Sequence, residues 1–222
     1  YNQLYMEYKL PEGTNSTRVV HDLREIETYL KSRKEITHVT TSVGGTPGRY
    51  NLVRSIANPS LSYGELIIDF TSPEELVDNM DEIQSYLSQA YPDAYVNLKR
   101  YNLMFKKYPI EAQFMGPDPA VLHRLADSAR HIMENTPEVR LVTTDWEPQV
   151  PVLTIEYDQP AARALGLSRN DVSLSLLTAT GGIPIGSFYE GIHANTIYLK
   201  CLNEEGNPIE DLGNTQVFSS IP

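Results

Sequence analysis

QLYMEYKL, residues 3–10, alternates apolar and polar positions, the period of a half-buried β-strand. Pro11, Glu12 and Gly13 break it, and Thr14, Asn15 and Ser16 offer N-caps to a helix. That helix carries Val19, Leu23, Ile26 and Leu30 at helical spacing. ITHVTTSV (36–43) and YGELIIDF (63–70) read as the next two strands. TSPEE then opens a second helix with a cap, a proline in its first turn and early acidic residues. It runs through Leu76, Met80, Ile83 and Leu87 to Tyr91-Pro92, and AYVNLKRYNLMF (94–105) closes the set as a strand. The order β-α-β-β-α-β predicts an α+β fold, the ferredoxin-like split unit, over residues 1–106. Its helices cover one sheet face and leave the other free to pack on a neighbour.

The pattern then restarts. YPIEAQFM reads as a strand, GPDPAVL as a break and cap, and Leu122, Leu125, Ala126, Ala129 and Met133 mark a helix. PEVRLVTTDW returns as a strand, and its EVRLVTT repeats the EITHVTT of 35–41. A shift of 103 residues puts Glu35 on Glu138, Val39 on Val142 and Gly13 on Gly116. Duplication is the reading, with only the first β-α-β of the second copy present, over 107–147. Such a half-unit should leave a strand edge unpaired, and Leu122 and Leu125 more exposed than Val19 and Leu23. From 148 to 222 the expectation is a mixed α+β subdomain. It comprises a strand at VPVLTIEYDQ, a short helix broken at Gly166, and a helix capped by Ser168. A Gly-Gly turn, strands at IPIGSFYEG and TIYLKC, a helical turn near Ile209 to Leu212 and a final strand piece follow.

GGTPG (44–48) opens a stretch of about twenty residues with no period, uncommon inside a compact domain unless disordered or functional. It lacks the Gly-Lys-Ser/Thr ending of a phosphate-binding loop, and no helix signal follows it. The reading is a mobile loop passing over a pocket, with Gly44, Gly45, Gly48, Arg49 and Tyr50 as candidate site residues. In the strand before it, Val39, Thr41 and Val43 should share a face. Ile36 can join Val39 only through a bulge.

The formal net charge of −11 argues against a phosphate-backbone binder, because Lys and Arg supply that affinity. No apolar run reaches the roughly 20 residues that span a bilayer. The chain opens inside a strand pattern without an initiator Met and reads as an internal segment of a longer polypeptide. Cys201 is single and reads as a packed cysteine. His21, His38, His123, His131 and His193 show no metal-site spacing, and Met6, Met80, Met104, Met115 and Met133 read as packing residues. Carboxylate pairs such as Glu74-Glu75 and Glu204-Glu205 fall at helix starts and turns, where solvation is the default. No nucleophile elbow occurs. The reading is no enzyme, no cofactor and no metal site.

One stretch is more specific. Asp158, Ala162, Ala164 to Ser168, Asp171 and Val172 form D-Q-x-x-A-x-A-L-G-L-S-x-x-D-V, and Gly181, Gly182 and Gly186 to Phe188 follow as G-G-x-x-x-G-S-F. Together with LPEGT near the start, this resembles the second large periplasmic loop of a resistance-nodulation-division (RND) efflux transporter of the AcrB/AcrD/AcrF-like family. The resemblance implies two porter subdomains and a docking subdomain, and makes the glycine stretch a switch loop between two pockets. It implies Tyr101, Leu103 and Phe105 as lining of the cleft, and places Asp145 and Trp146 where the family often has a pocket-facing arginine. It further implies a proton-driven multidrug or amphiphile pump of a Gram-negative bacterium, with this segment on the periplasmic face of the inner membrane. Its partners would be amphiphilic small molecules, two further copies in a homotrimer, a periplasmic adaptor and an outer-membrane exit duct. The competing reading is a stand-alone ferredoxin-like ligand-binding or interaction module.

Overall fold

β1 (Gln3–Lys9) is the inner strand of a four-stranded antiparallel sheet. It pairs with β3 (Tyr63–Phe70) on one side and β4 (Tyr95–Arg100) on the other, and β2 (Ile36–Val43) pairs with β3 to give the order β2-β3-β1-β4. The computed structural model describes residues 1–48, 56–101, 108–146, 149–209 and 211–219, in two units, Tyr1–Pro151 and Val152–Pro222.

Alternation decides the core of the first unit. Leu4, Met6, Tyr8 and Leu10 face α1 (Ser16–Lys31) and α2 (Pro73–Ala90) together with Leu66, Ile68, Phe70, Val96 and Leu98. Val19, Leu23, Ile26 and Leu30 of α1 and Leu76, Ile83 and Leu87 of α2 close this layer. Asn15 caps α1 by accepting from the Thr17 amide, and Ser72 caps α2 by accepting from Glu75. One polar side chain enters the layer: the Tyr8 hydroxyl donates to Asp22 at 2.6 Å. At Gly64 α1 packs straight onto the strand, since a Cβ there would lie 2.3 Å from Leu23 Cδ1. Ile36 and Val39 are both buried because the β2–β3 register shifts between Ile36 and His38, the bulge their shared face requires.

Of the expected second β-α-β, the helix forms. α3 (Pro119–Glu134) begins and ends 103 residues after α1, and its Asp118 cap answers Asn15. Leu122, Ala126, Ala129 and Met133, at the shifted positions of Val19, Leu23, Ile26 and Leu30, are half-buried where their counterparts are sealed. Leu125 is exposed. The strands expected at 108–115, 137–146 and 150–159 do not form among the described residues. A strand needs a ladder partner for its backbone groups, and alternation alone provides none. β4 is described over Tyr95–Arg100, and residues 102–105 of the strand expected there lie outside the described residues.

In the second unit α4 (Gln159–Ala164) ends at Gly166, whose φ of 69° is the left-handed C-cap geometry. Leu167 donates back to Ala162 O, and Ser168 then caps α5 (Arg169–Ala179) in a full capping box with Asp171. β5 (Ile183–Glu190) and β6 (His193–Leu199) form an antiparallel hairpin. The helical turn falls at Leu212–Asn214 rather than at 209–212, and the last piece forms no strand among the described residues.

Leu23→Ala should cost about 2–5 kcal/mol in urea unfolding, by lost burial and the cavity left behind. Leu125→Ala on α3 should fall within about 0.5 kcal/mol. Equal costs would contradict the difference in burial between Leu23 and Leu125.

Candidate functional site

The sheet face opposite α1 and α2 is polar. Ser42, Glu65, Glu7 and Asn97 line up across it, one from each strand, through the pairings Ser42↔Glu65, Glu7↔Glu65 and Glu7↔Asn97. Two carboxylates therefore stand directly opposite each other, with Cβ atoms about 5 Å apart, where like charges repel unless each is matched. Lys99 Nζ lies 2.7 Å from Glu7 Oε2, with both side chains largely covered. Glu65 is fully buried and accepts from the Tyr63 hydroxyl at 2.8 Å and from Thr46 Oγ1 at 3.1 Å. Tyr95 and Asn97 add a hydroxyl and an amide, 2.7 Å apart, and burial pushes the Tyr95 hydroxyl up to about 12, so it stays protonated at neutral pH.

The glycine stretch reaches onto this face through Thr46. Its stem is hydrogen-bonded: Gly44 N donates to Tyr63 O at 2.8 Å and Ser60 N to Gly44 O at 3.1 Å. Thr46 Oγ1 also accepts from the Ala57 amide at 2.9 Å, and Ser42 Oγ donates to Gly45 O. Gly44, with φ of 81°, needs to be glycine; Cβ atoms at Gly45 and Gly48 would meet open space.

Of the sequence candidates, Gly44 and Gly45 lie at the rim of this face and Gly48 further along the stretch. Arg49, Tyr50, Leu103 and Phe105 lie outside the described residues. Tyr101 stacks at the edge of the face, its ring 5.2 Å from Tyr5 and 5.7 Å from Tyr1. Asp145 and Trp146 are elsewhere: Trp146 packs edge-on against His123 of α3 at 3.6 Å. Glu7, Glu65, Tyr63, Thr46 and Lys99 were not singled out in the sequence. The signal for them is the strand period, which puts every charge of QLYMEYKL on the side away from the helices. The methionines form no soft-metal cluster among the described residues: Met6 is buried, Met80 packs on the core, and Met115 is 94% exposed.

A family model described as the AcrB/AcrD/AcrF family matches residues 1–221. The chain belongs to that family. It is a segment of an RND efflux transporter, the group that the Asp158-to-Val172 signature resembles. Two curated relatives are 23% identical over 191 residues. They are a cobalt-zinc-cadmium resistance protein of Cupriavidus metallidurans and a cation efflux system protein of an Alcaligenes species. Each match covers 81% of this chain but 18% of the relative's length. Two crystal structures of a heavy metal efflux pump share the fold, with TM-scores of 0.68 and 0.70 at 18% identity. They cover 99% of this chain, which spans 23% and 24% of theirs. No helix among the described residues is long and apolar enough to cross a membrane.

Thr46→Val removes one donor to Glu65 and one acceptor for Ala57. Losing a hydrogen bond worth about 1 kcal/mol should speed exchange of the Ala57 amide roughly fivefold. An unchanged rate would mean that Thr46 does not hold the stretch to the sheet.

Proposed function

We propose that this chain is the substrate-handling part of a proton-driven RND exporter, from the second large periplasmic loop, and that its cargo is a divalent metal cation. In this reading residues 1–106 are a ferredoxin-like porter subdomain, 107–147 part of a second, and 148–222 a docking subdomain. Transport proceeds by binding and conformational cycling, with the proton relay in the membrane domain. The exporter works as a trimer with an adaptor and an exit duct at the inner membrane of a Gram-negative cell.

The single observation that carries the cargo assignment is the Glu7–Glu65 pair opposed across β1 and β3. Carboxylate oxygens are among the ligands that zinc takes, at about 2.0–2.2 Å. An ion arriving between the carboxylates relieves their repulsion and competes with Lys99 for Glu7 and with Thr46 for Glu65. Displacing Thr46 removes one of the bonds that hold the glycine stretch to the sheet, which couples cargo entry to that stretch. The net charge of −11 favours cation approach. The names of the curated relatives and of the two pump structures support the same class.

The amphiphile reading rests on a different observation, the Tyr1–Tyr5–Tyr101 ring cluster on the same face, which offers apolar area to an organic ligand. Calorimetry of the full 222-residue chain separates them. Zn²⁺ or Co²⁺ should bind with micromolar affinity, and Glu65→Gln should weaken that binding tenfold or more without changing the uptake of an amphiphilic dye. Dye binding lost on Tyr101→Ala, with no metal response to Glu65→Gln, would reverse the assignment.

A further inference from the structure

On the opposite side of the first unit, α1 presents a second set of metal-ligating groups. His21, Asp22 and Glu25 each offer one ligand atom, all within 4.8 Å of one another. His21 Nδ1 is 3.4 Å from Asp22 Oδ1, and His21 Nε2 is 3.8 Å from Glu25 Oε1. One ion takes only one of the two ring nitrogens. Ligands on a tetrahedral zinc with bonds near 2.0–2.1 Å stand about 3.3 Å apart, so the three atoms, now within 4.8 Å, gather by a turn of the exposed His21 and Glu25 side chains.

The arrangement around the cluster is what points to an ion. Each carboxylate is held from outside by a tyrosine on another element, and each is held by the oxygen that does not face His21. The Tyr8 hydroxyl, from β1, donates to Asp22 Oδ2 at 2.6 Å, and Arg18 Nε lies 3.5 Å from the same oxygen. The Tyr91 hydroxyl, after α2, donates to Glu25 Oε2 at 3.2 Å. Asp22 Oδ1 and Glu25 Oε1 are thereby left turned toward one imidazole, the outer-shell pattern that orients first-shell ligands. Arg18 is shared, its Nη2 lying 2.6 Å from Asp93 Oδ2, and among the described residues Asp22 Oδ1 and Glu25 Oε1 face no cationic side chain other than the imidazole. His21 and Glu25 border a groove of about 810 Å³ between α1 and the end of α2, so water or a further ligand can reach the open position.

We propose that His21, Asp22 and Glu25 bind a divalent transition-metal ion of the zinc or cobalt class, at a site separate from the sheet face. The imidazole supplies the borderline nitrogen, the two carboxylates balance the charge, and Tyr8 and Tyr91 act as positioning residues.

The test uses the full 222-residue chain titrated with Zn²⁺ by calorimetry and with Co²⁺ by visible absorption, following the His21 ring by NMR. The expected result is perturbation of the His21 ring at one equivalent. His21→Ala and Glu25→Gln should each lower that affinity tenfold or more, and Tyr91→Phe should lower it severalfold. His21 and Glu25 are 69% and 57% exposed, so neither variant should disturb the fold, which circular dichroism checks. The double variant Glu7→Gln/Glu65→Gln keeps this site intact, so loss of a second equivalent there reports on the sheet face alone. An unmoved His21 ring at saturating Zn²⁺, or unchanged affinity in His21→Ala, would overturn the proposal and leave the sheet-face reading untouched.

Discussion

The first unit depends on a single strand with two chemically opposed sides. β1 is bonded along both edges, so it can neither shift register nor turn over without breaking two ladders. A slip of one residue would drive Glu7 and Lys9 into the layer that Leu4, Met6 and Tyr8 now fill. The apolar half recruits α1 and α2; the charged half is thereby committed to the other face, beside Glu65. A buried polar face costs stability unless every charge there is answered. Lys99, Tyr63 and Thr46 answer it from three different elements.

Much of this was legible before any coordinates. The alternation of QLYMEYKL and YGELIIDF, the caps at Asn15 and Ser72 and the stripe through Leu23 and Ile26 are local signals, and each element formed where its signal lay. The 103-residue repeat was legible too, and it recurs in α3 to the residue. What failed was strand formation at 108–115, 137–146 and 150–159, because pairing is a property of two segments and only one could be read. The candidate site was partly legible. GGTPG marked the stretch that reaches the polar face, and Tyr101 lies at its edge. Glu7 and Glu65 were passed over because they are 58 positions apart, and only the register makes them neighbours. Trp146 went the other way, onto the His123 ring of α3, a contact that no sequence spacing marks.

The family signature has a plain physical content in the second unit. Leu-Gly-Leu-Ser-x-x-Asp is the junction of two helices: a glycine whose positive φ ends α4, then a serine and an aspartate that satisfy each other's orphan backbone donors at the start of α5. Replacing Gly166 would strain the stop, replacing Ser168 would remove the cap on the residue-171 amide, and replacing Asp171 would leave the Ser168 amide without its acceptor. The two halves of the motif do separate jobs within a few residues, which is why it reads so distinctly.

Gly64 has a mechanical consequence. Leu23 of α1 rests directly on the β3 backbone there, and the next residue back, Tyr63, receives the hydrogen bond from Gly44 that closes the glycine stretch. A side chain at position 64 would therefore have to lift α1 off the strand whose preceding residue anchors the stretch, so this one glycine ties the helix's seat and the loop's base to the same few atoms of backbone.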